Sequence, residues 1–119
     1  MSSDDRSAPC AMGKTATVCA RSYQRDGRLV PRPARGLRAR AVTLRPRGVM
    51  EWHSTRGREE LVMALTGTLS IEVASSPPRV HRLSLQHGQC AFLPARTRHR
   101  VVNRSRGRAR YIYVTAPAR

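Results

Sequence analysis

GQCAFLPARTRHRVVN, residues 88–103 of this 119-residue chain, joins two strand-forming runs through a Pro-containing turn. Side chains alternate between the two faces of a strand, so His99, Val101 and Asn103 share one face. Arg98 and Arg100 lie on the other face, and because charged side chains need water, His99 must point into the interior. This stretch therefore predicts a strand that delivers one imidazole to a buried site.

A second stretch, VMEWHSTRGREELVMALTG at residues 49–67, carries two further metal-ligand side chains. Strict alternation places His53 on the same face as Val49 and Glu51. We predict that the Arg-Gly turn after His53 pairs the flanking strands as a hairpin, which would bring His53 close to Glu60. The opposite face is apolar and needs cover from a second sheet or a partner subunit; its residues are Trp52, Leu61, Met63 and Leu65.

Strand signals dominate the chain from residue 37 onward, and no helical periodicity of useful length occurs there. Eight strands are predicted, at residues 37–44, 49–55, 60–66, 68–73, 80–85, 89–93, 98–103 and 110–115. Such spacing is typical of an antiparallel sandwich or a small barrel. Residues 1–36, rich in Ser, Ala, Pro, Gly and Arg, are predicted to form a basic segment that is largely disordered or adds an edge strand. Residues 37–119 are predicted to form the barrel domain.

The chain from about residue 37 to residue 117 resembles a small single-domain cupin. The two motifs of that superfamily read G(X)5HXH(X)3-4E(X)6G and G(X)5PXG(X)2H(X)3N. Seven positions fit their spacing: His53, Glu60, Gly67, Gly88, Pro94, His99 and Asn103. The resemblance implies an all-β, jelly-roll barrel (a double-stranded β-helix). It also implies a metal triad of His53, Glu60 and His99.

Three positions depart from the cupin motifs. Thr55 stands where the second His of HXH is usual, Arg96 replaces the Gly of PXG, and Arg47 occupies the place of the opening Gly. We predict that Thr55, Arg96 and Asn103 contact the substrate or the outer shell of the metal. Thr55 would hydrogen-bond a metal-bound water. Arg96 would bind an anionic substrate such as a carboxylate, or else be a solvated side chain; Asn103 would alternatively satisfy backbone groups at a strand end.

Two imidazoles and one carboxylate with open coordination positions suit Fe, Mn, Zn or Ni, and the residues do not choose among these ions. We therefore predict a cupin-domain protein that binds a small molecule through a divalent metal. If it is an enzyme, a metal-dependent oxygenase, isomerase or lyase is expected, with no catalytic residue identified. Because cupins that lack ligands are often metal-free, the resemblance leaves a ligand-sensing or regulatory domain as an alternative.

The formal net charge is +16, from 22 Arg and one Lys against 7 acidic residues. Electrostatic binding of a polyanion such as nucleic acid is possible but is not favoured, because the charges are spread along the chain and few aromatic residues are available for stacking. Three cysteines without CxxC spacing indicate a reducing, cytoplasmic location, with Cys90 as a core thiol. The sequence contains no apolar run of about 20 residues, so it predicts no membrane-spanning helix. A homodimer is expected, since small cupins commonly pair sheets.

Overall fold

The computed structural model describes residues 10–12 and 17–119, and within them every regular element is a strand. All eight predicted strands are confirmed to within two residues at each end. The strands are β1 (Cys10–Met12), β2 (Thr17–Cys19), β3 (Gly27–Arg28), β4 (Arg38–Leu44), β5 (Val49–Ser54), β6 (Arg58–Thr66), β7 (Thr68–Ala74), β8 (Val80–Gln86), β9 (Cys90–Leu93), β10 (Arg98–Asn103) and β11 (Ala109–Pro117).

The strands form two main antiparallel sheets that enclose one core. One sheet has the order β3-β4-β11-β6-β9 and the other has the order β5-β10-β7-β8, while β1 and β2 pair separately. Inward-pointing side chains from both sheets make up the core, as alternation requires: Leu44, Val62, Ala64, Leu69, Ile71, Leu85, Ala91, Leu93, Val101, Ala109 and Tyr111. The predicted all-β, jelly-roll architecture is thus confirmed.

The predicted hairpin between the strands of His53 and Glu60 is wrong, because β5 and β6 belong to different sheets. The backbone N–H of Thr55 donates to the carbonyl of Thr97, so β5 ends on the strand that follows residue 97 and not on β6. The chain then crosses between the sheets at the Arg-Gly turn. His53 and Glu60 consequently approach each other across the barrel interior, and not along a shared sheet.

Strict alternation also fails within β5. The register pairs His53 with His99 and Met50 with Val101, so three steps along β5 match two steps along β10. This β-bulge turns Met50 and His53 to the same side, since the extra residue shifts the alternation by one. The inner face of β5 therefore carries Met50 with His53, and not the predicted set of Val49, Glu51 and His53.

The predicted apolar face is divided between the two sheets. Trp52 lies outside the four-stranded sheet, where the guanidinium carbons of Arg98 and Arg100 lie 5.9 and 5.1 Å from its ring centroid. Leu61 lies outside the five-stranded sheet, next to Phe92 on β9. The separation follows from the same crossover, which carries the chain from one sheet to the other after residue 54.

Cys90 is exposed, so its prediction as a core thiol is wrong. In β9 the buried positions are Ala91 and Leu93, which leaves Cys90 and Phe92 on the outer face. Phe92 is 59% exposed, so this part of the outer face is open to solvent within the described structure. Among residues 10–12 and 17–119, no helix is long and apolar enough to cross a lipid bilayer.

Residues 20–36 run along the edge of the five-stranded sheet. Gly27–Arg28 pairs with β4 as an edge strand, and the backbone N–H of Leu29 donates to the carbonyl of Ala39. The Asp26 carboxylate accepts hydrogen bonds from the backbone N–H and the hydroxyl of Thr43, at 3.1 and 2.7 Å. These contacts hold the segment beside one end of the barrel. The division of the chain at residue 36 stays a prediction.

Candidate metal centre

His99 on β10 is the most deeply placed residue of the site, with no exposed surface. Its Nδ1 lies 3.1 Å from the carbonyl oxygen of Thr97, and because a carbonyl only accepts, Nδ1 carries the proton. Its Nε2 is buried and has no hydrogen-bond partner in the described part of the chain. The lone pair of Nε2 thus points into the interior, where no described group donates a hydrogen bond to it.

His53 on β5 repeats this arrangement directly across the ladder. Its Nδ1 donates to the carbonyl of Glu51 at 2.7 Å, and the ring centroids of His53 and His99 lie 4.3 Å apart. Each imidazole is therefore held by a backbone carbonyl on one nitrogen and leaves the other free. Such a carbonyl contact fixes the tautomer and the orientation of a metal-binding histidine.

Glu60 supplies the carboxylate from the opposite sheet. It points inward on β6 together with Val62 and Ala64, and it is 7% exposed. Ligand atoms of His53, Glu60 and His99 all lie within 4.8 Å of one another, and among the described residues they form the only such group. The sequence-based triad is thus brought together in space.

The donor set fits a divalent transition metal. Two neutral imidazole nitrogens and one carboxylate oxygen are ligands that Zn²⁺, Fe²⁺ and Mn²⁺ accept, with positions left for water or a substrate. Leaving a buried polar atom unsatisfied costs about 1–3 kcal/mol, and an ion bound to Nε2 of His99 would remove that cost. A metal ion would therefore account for the buried Nε2 of His99, which has no hydrogen-bond partner in the described structure.

The electrostatics of the site couple His99 to Glu60. Burial by itself lowers the pKa of His99, but the nearby carboxylate of Glu60, together with the carbonyl of Thr97, raises it above its usual value. Tyr111, which lines the same interior, has its pKa raised by burial, by Tyr113 and by Glu60. Its phenol therefore stays protonated and can donate a hydrogen bond.

Thr55 is buried at the start of the turn after β5. Its hydroxyl donates to the carbonyl of Pro94 at 2.8 Å and accepts from the backbone N–H of Thr97 at 2.9 Å. These bonds fasten the loop that precedes His99. A hydroxyl has one donor and two acceptor positions, so one lone pair is left for a water. Contact between Thr55 and a metal-bound water stays a prediction.

Arg96 is exposed and does not line the interior cavity within the described structure. Its backbone has φ of 57°, and its N–H donates to the carbonyl of Arg56. Arg47 likewise has φ of 62°. The cupin motifs place Gly at both positions, and these left-handed backbone angles explain why. The structure gives no contact for the predicted role of Arg96 in substrate binding.

Asn103 is buried and serves the backbone. Its Nδ2 lies within 3.0 Å of the carbonyls of Leu44, Arg45 and Gly107, and its Oδ1 accepts from the N–H of Ser105 at 2.8 Å. These partners occupy the whole side-chain amide. Asn103 therefore joins the loops at the end of the barrel away from the imidazoles.

The family assignment rests on the extent of the match. The family model described as Cupin domain matches residues 40–115, which contain all three candidate ligands. The chain belongs to the cupin family. No curated protein matches it.

Solved structures with the cupin barrel support the fold of this cupin. A Cupin 2 conserved barrel domain protein from Salinispora arenicola is 23% identical, with a TM-score of 0.65 over 79% of this chain and 76% of that one. Peruvianin-I, a cysteine peptidase from Thevetia peruviana latex, is 23% identical, with a TM-score of 0.63 over 69% of this chain. An oxalate oxidase is 18% identical, with a TM-score of 0.63 over 69% of this chain. The cupin spans 51% of Peruvianin-I and 42% of that oxidase.

Sequence reasoning missed the arginines around the cavity of this cupin. The cavity, of about 630 Å³, is lined by His53 and Glu60 and by six arginines. Two of them, Arg38 and Arg40, precede the core residue Leu44 by even steps on β4. Because alternate side chains of a strand share a face, counting back from Leu44 could have placed Arg38 and Arg40 on the inner face.

Proposed function

We propose that this cupin binds a small molecule in its barrel through a divalent metal ion held by His53, Glu60 and His99. The observation that carries the proposal is the buried Nε2 of His99, which has no partner in the described structure and lies 3.6 Å from Glu60 Oε2. That separation is longer than an ordinary hydrogen bond between nitrogen and oxygen. It suits two ligands of a shared ion better than a directly bonded pair.

The cavity supports a ligand in addition to the ion. His53 and Glu60 line it, so an ion on the triad would be reached from the cavity. Its volume of about 630 Å³ lies in the range of small-molecule sites. A bound divalent ion would act there as a Lewis acid and would hold an oxygen-bearing ligand. The protein residues hold the imidazoles and the carboxylate in place and exclude bulk water from His99.

A metal-free sensing domain is the competing function. In it, a proton would take the place of the ion between His99 and Glu60, which the raised pKa of His99 permits. The second imidazole, on His53, has no role in that arrangement. The presence of two backbone-oriented imidazoles at one point therefore favours the metal.

Thermal unfolding in the presence of added ions tests the proposal. Apo protein prepared with a chelator should melt at a higher temperature with Mn²⁺, Fe²⁺, Zn²⁺ or Ni²⁺, because an ion at 100 times its Kd stabilises the fold by about 2.7 kcal/mol. His99→Ala and His53→Ala should abolish the shift. His81→Ala and His87→Ala, at exposed histidines away from the cavity, are matched controls that should keep it. Equal shifts in all four variants would overturn the proposal.

A further inference from the structure

The charge of the cavity is strongly one-sided. Glu60 is the only acidic residue among its described lining residues. Against this one carboxylate stand six guanidinium groups: Arg28, Arg32, Arg38, Arg40, Arg56 and Arg58. Clefts lined by one sign of charge concentrate ligands of the opposite sign. A divalent ion on the triad would make the cavity more positive still.

Arg38 and Arg40 occupy inner-face positions on β4. Leu44 belongs to the core, and Val42 packs against it. Arg40 and Arg38 continue the same face, opposite Tyr113 and Thr115 of β11. Charged side chains are placed on the inner face of a barrel strand only where water or a charged ligand solvates them. Along the inner face of β4, the side chains thus change from apolar residues in the core to arginines where the strand reaches the cavity.

Arg58 and Arg38 meet at the same residue of β11. The register places Arg38 opposite Thr115, and the Arg58 guanidinium contacts that threonine. The Arg58 guanidinium itself is used to hold the chain, since it donates to the carbonyl of Gly36 and to both oxygens of Thr115. Arg38 thus faces another cation, and within the described residues it has no carboxylate partner.

Two acidic residues of the described chain pair with arginines outside the cavity. Glu72 pairs with Arg82, Arg100 and Arg104 outside the four-stranded sheet. Asp26 lies 3.5 Å from Arg110. In the part of the chain that the structure describes, no ion pair neutralises any of the six cavity arginines. The positive charge of the cavity is therefore not neutralised by an acidic residue other than Glu60 within the described part of the chain.

Resting on the proposed function, we infer that the ligand is a small polyanion with at least two acidic groups, carboxylate or phosphate. One acidic group would bind at the metal centre, and a second would pair with Arg38 and Arg40 at the mouth. Guanidinium groups bind both anions through paired, charge-assisted hydrogen bonds. The positive charge of the lining disfavours cationic molecules of the same size.

Calorimetric titration of the metal-loaded protein tests the inference. The probes are succinate for carboxylates and pyrophosphate for phosphates, with acetate and inorganic phosphate as their single-group counterparts and succinamide as the uncharged counterpart of succinate. We expect at least one of the two-group anions to bind more tightly than its single-group counterpart, and succinamide not to bind. The affinity for the anion should decrease as the NaCl concentration rises from 50 to 300 mM, because salt screens the attraction between the arginines and the anion. Equal affinity for succinate and succinamide, or no binding of any of the anions, would overturn the inference.

Arg38→Gln combined with Arg40→Gln should weaken anion binding at least about tenfold, because the charge-assisted hydrogen bonds to the second acidic group would be lost. Arg79→Gln combined with Arg108→Gln removes the same charge from exposed positions outside the cavity and should leave the affinity unchanged. Both double variants carry exposed polar replacements, so melting temperatures verify that they fold. Equal weakening in the two pairs would show a general field effect and contradict the inference.

Metal titration without an anion separates the two proposals. If the protein binds the ion but shows no preference for anions, the inference fails and the metal proposal stands. If His99→Ala removes the ion and Arg38-dependent anion binding persists at the same affinity, the inference that one acidic group binds at the metal centre is wrong. If neither ion nor anion binds, both are wrong.

Discussion

His99 and Glu60 meet across the barrel interior, with Nε2 of the histidine 3.6 Å from Oε2 of the glutamate. The two residues come from different sheets, β10 and β6, and are joined by no ladder hydrogen bond. His53 is paired directly with His99 on the neighbouring strand. The barrel therefore assembles the three side chains from both of its layers, and the position of each is fixed by the packing of the sheets.

Replacing Arg96 or Arg47 by Gly is expected to stabilise the protein. Both arginines have a left-handed backbone, which costs a non-glycine residue about 1–2 kcal/mol, partly offset by the entropy of Gly in the unfolded chain. We expect each variant to be more stable by about 0.5–1 kcal/mol in urea denaturation.

The control for this pair is Arg108→Gly, at an exposed position without positive φ. This variant should be neutral or destabilised, because glycine increases the conformational entropy of the unfolded chain and relieves no backbone strain at this position. A lower denaturation midpoint for Arg96→Gly than for the wild type would contradict the strain argument. Arg96→Gly should also leave anion affinity unchanged, since Arg96 does not line the cavity.

Thr55→Val is expected to destabilise the loop before His99. The change keeps the shape of the side chain but removes the hydroxyl that bridges Pro94 and Thr97. An unpaired backbone N–H costs about 1–3 kcal/mol, which should appear in the free energy of unfolding. Thr55→Ser keeps the hydroxyl and should restore most of the stability. No loss of stability in Thr55→Val would contradict the role of these hydrogen bonds.

Glu72 is expected to govern the acid limit of stability. Burial alone would raise its pKa, but hydrogen bonds and charge from Arg100 and Arg82 outweigh burial and hold the pKa below its usual value. A carboxyl group whose folded pKa is lowered stabilises the fold above its unfolded pKa. That stabilisation is lost as the pH falls through the folded pKa.

Glu72→Gln should therefore lower the unfolding free energy by about 2 kcal/mol at pH 7 and flatten its decline in acid. Chemical denaturation at several pH values between 7 and 3 measures both effects. Glu59→Gln, at an exposed glutamate of β6, is the matched control and should leave the profile unchanged. A parallel decline in the wild type and Glu72→Gln would refute the role of the arginine cluster.

A homodimer through the outer face of the five-stranded sheet is a further prediction. Phe92 is 59% exposed there, directly beside Leu61, and Leu61 in turn neighbours Val114 on β11. Exposed apolar side chains that adjoin one another mark a protein interface. Sedimentation should show a dimer at micromolar concentration, and Phe92→Arg should shift it to monomer. A monomer at every concentration of the wild type would contradict the prediction.

The strands could be predicted from the sequence because they depend on local pattern, and the triad because the spacing of its residues matches the cupin motifs. Alternation and turn residues fix where β10 begins, and His99 follows from the arginines that flank it. The pairing of strands into sheets cannot be predicted in this way, since it depends on which distant strand hydrogen-bonds to each strand edge. The hairpin of β5 with β6 was for that reason mistaken, and the bulge near His53 has no local signal.

The arginines of the cavity were missed for a related reason. Arg28 and Arg32 reach the site only because the segment before β4 lies along the barrel edge, fixed by Asp26 and Thr43. Their charge looked like part of a uniform basic composition. Only the three-dimensional arrangement separates arginines that face the cavity from those that pair with Glu72 outside.

The metal content of the protein as purified tests the central claim most directly. Elemental analysis should find close to one divalent transition-metal ion per chain in the wild type and in His81→Ala. The same analysis should find little in His99→Ala, while circular dichroism verifies that the variant folds. Wild-type protein without metal, which also gains none on dialysis against each candidate ion, would contradict the claim that the His53, Glu60 and His99 cluster is a metal centre.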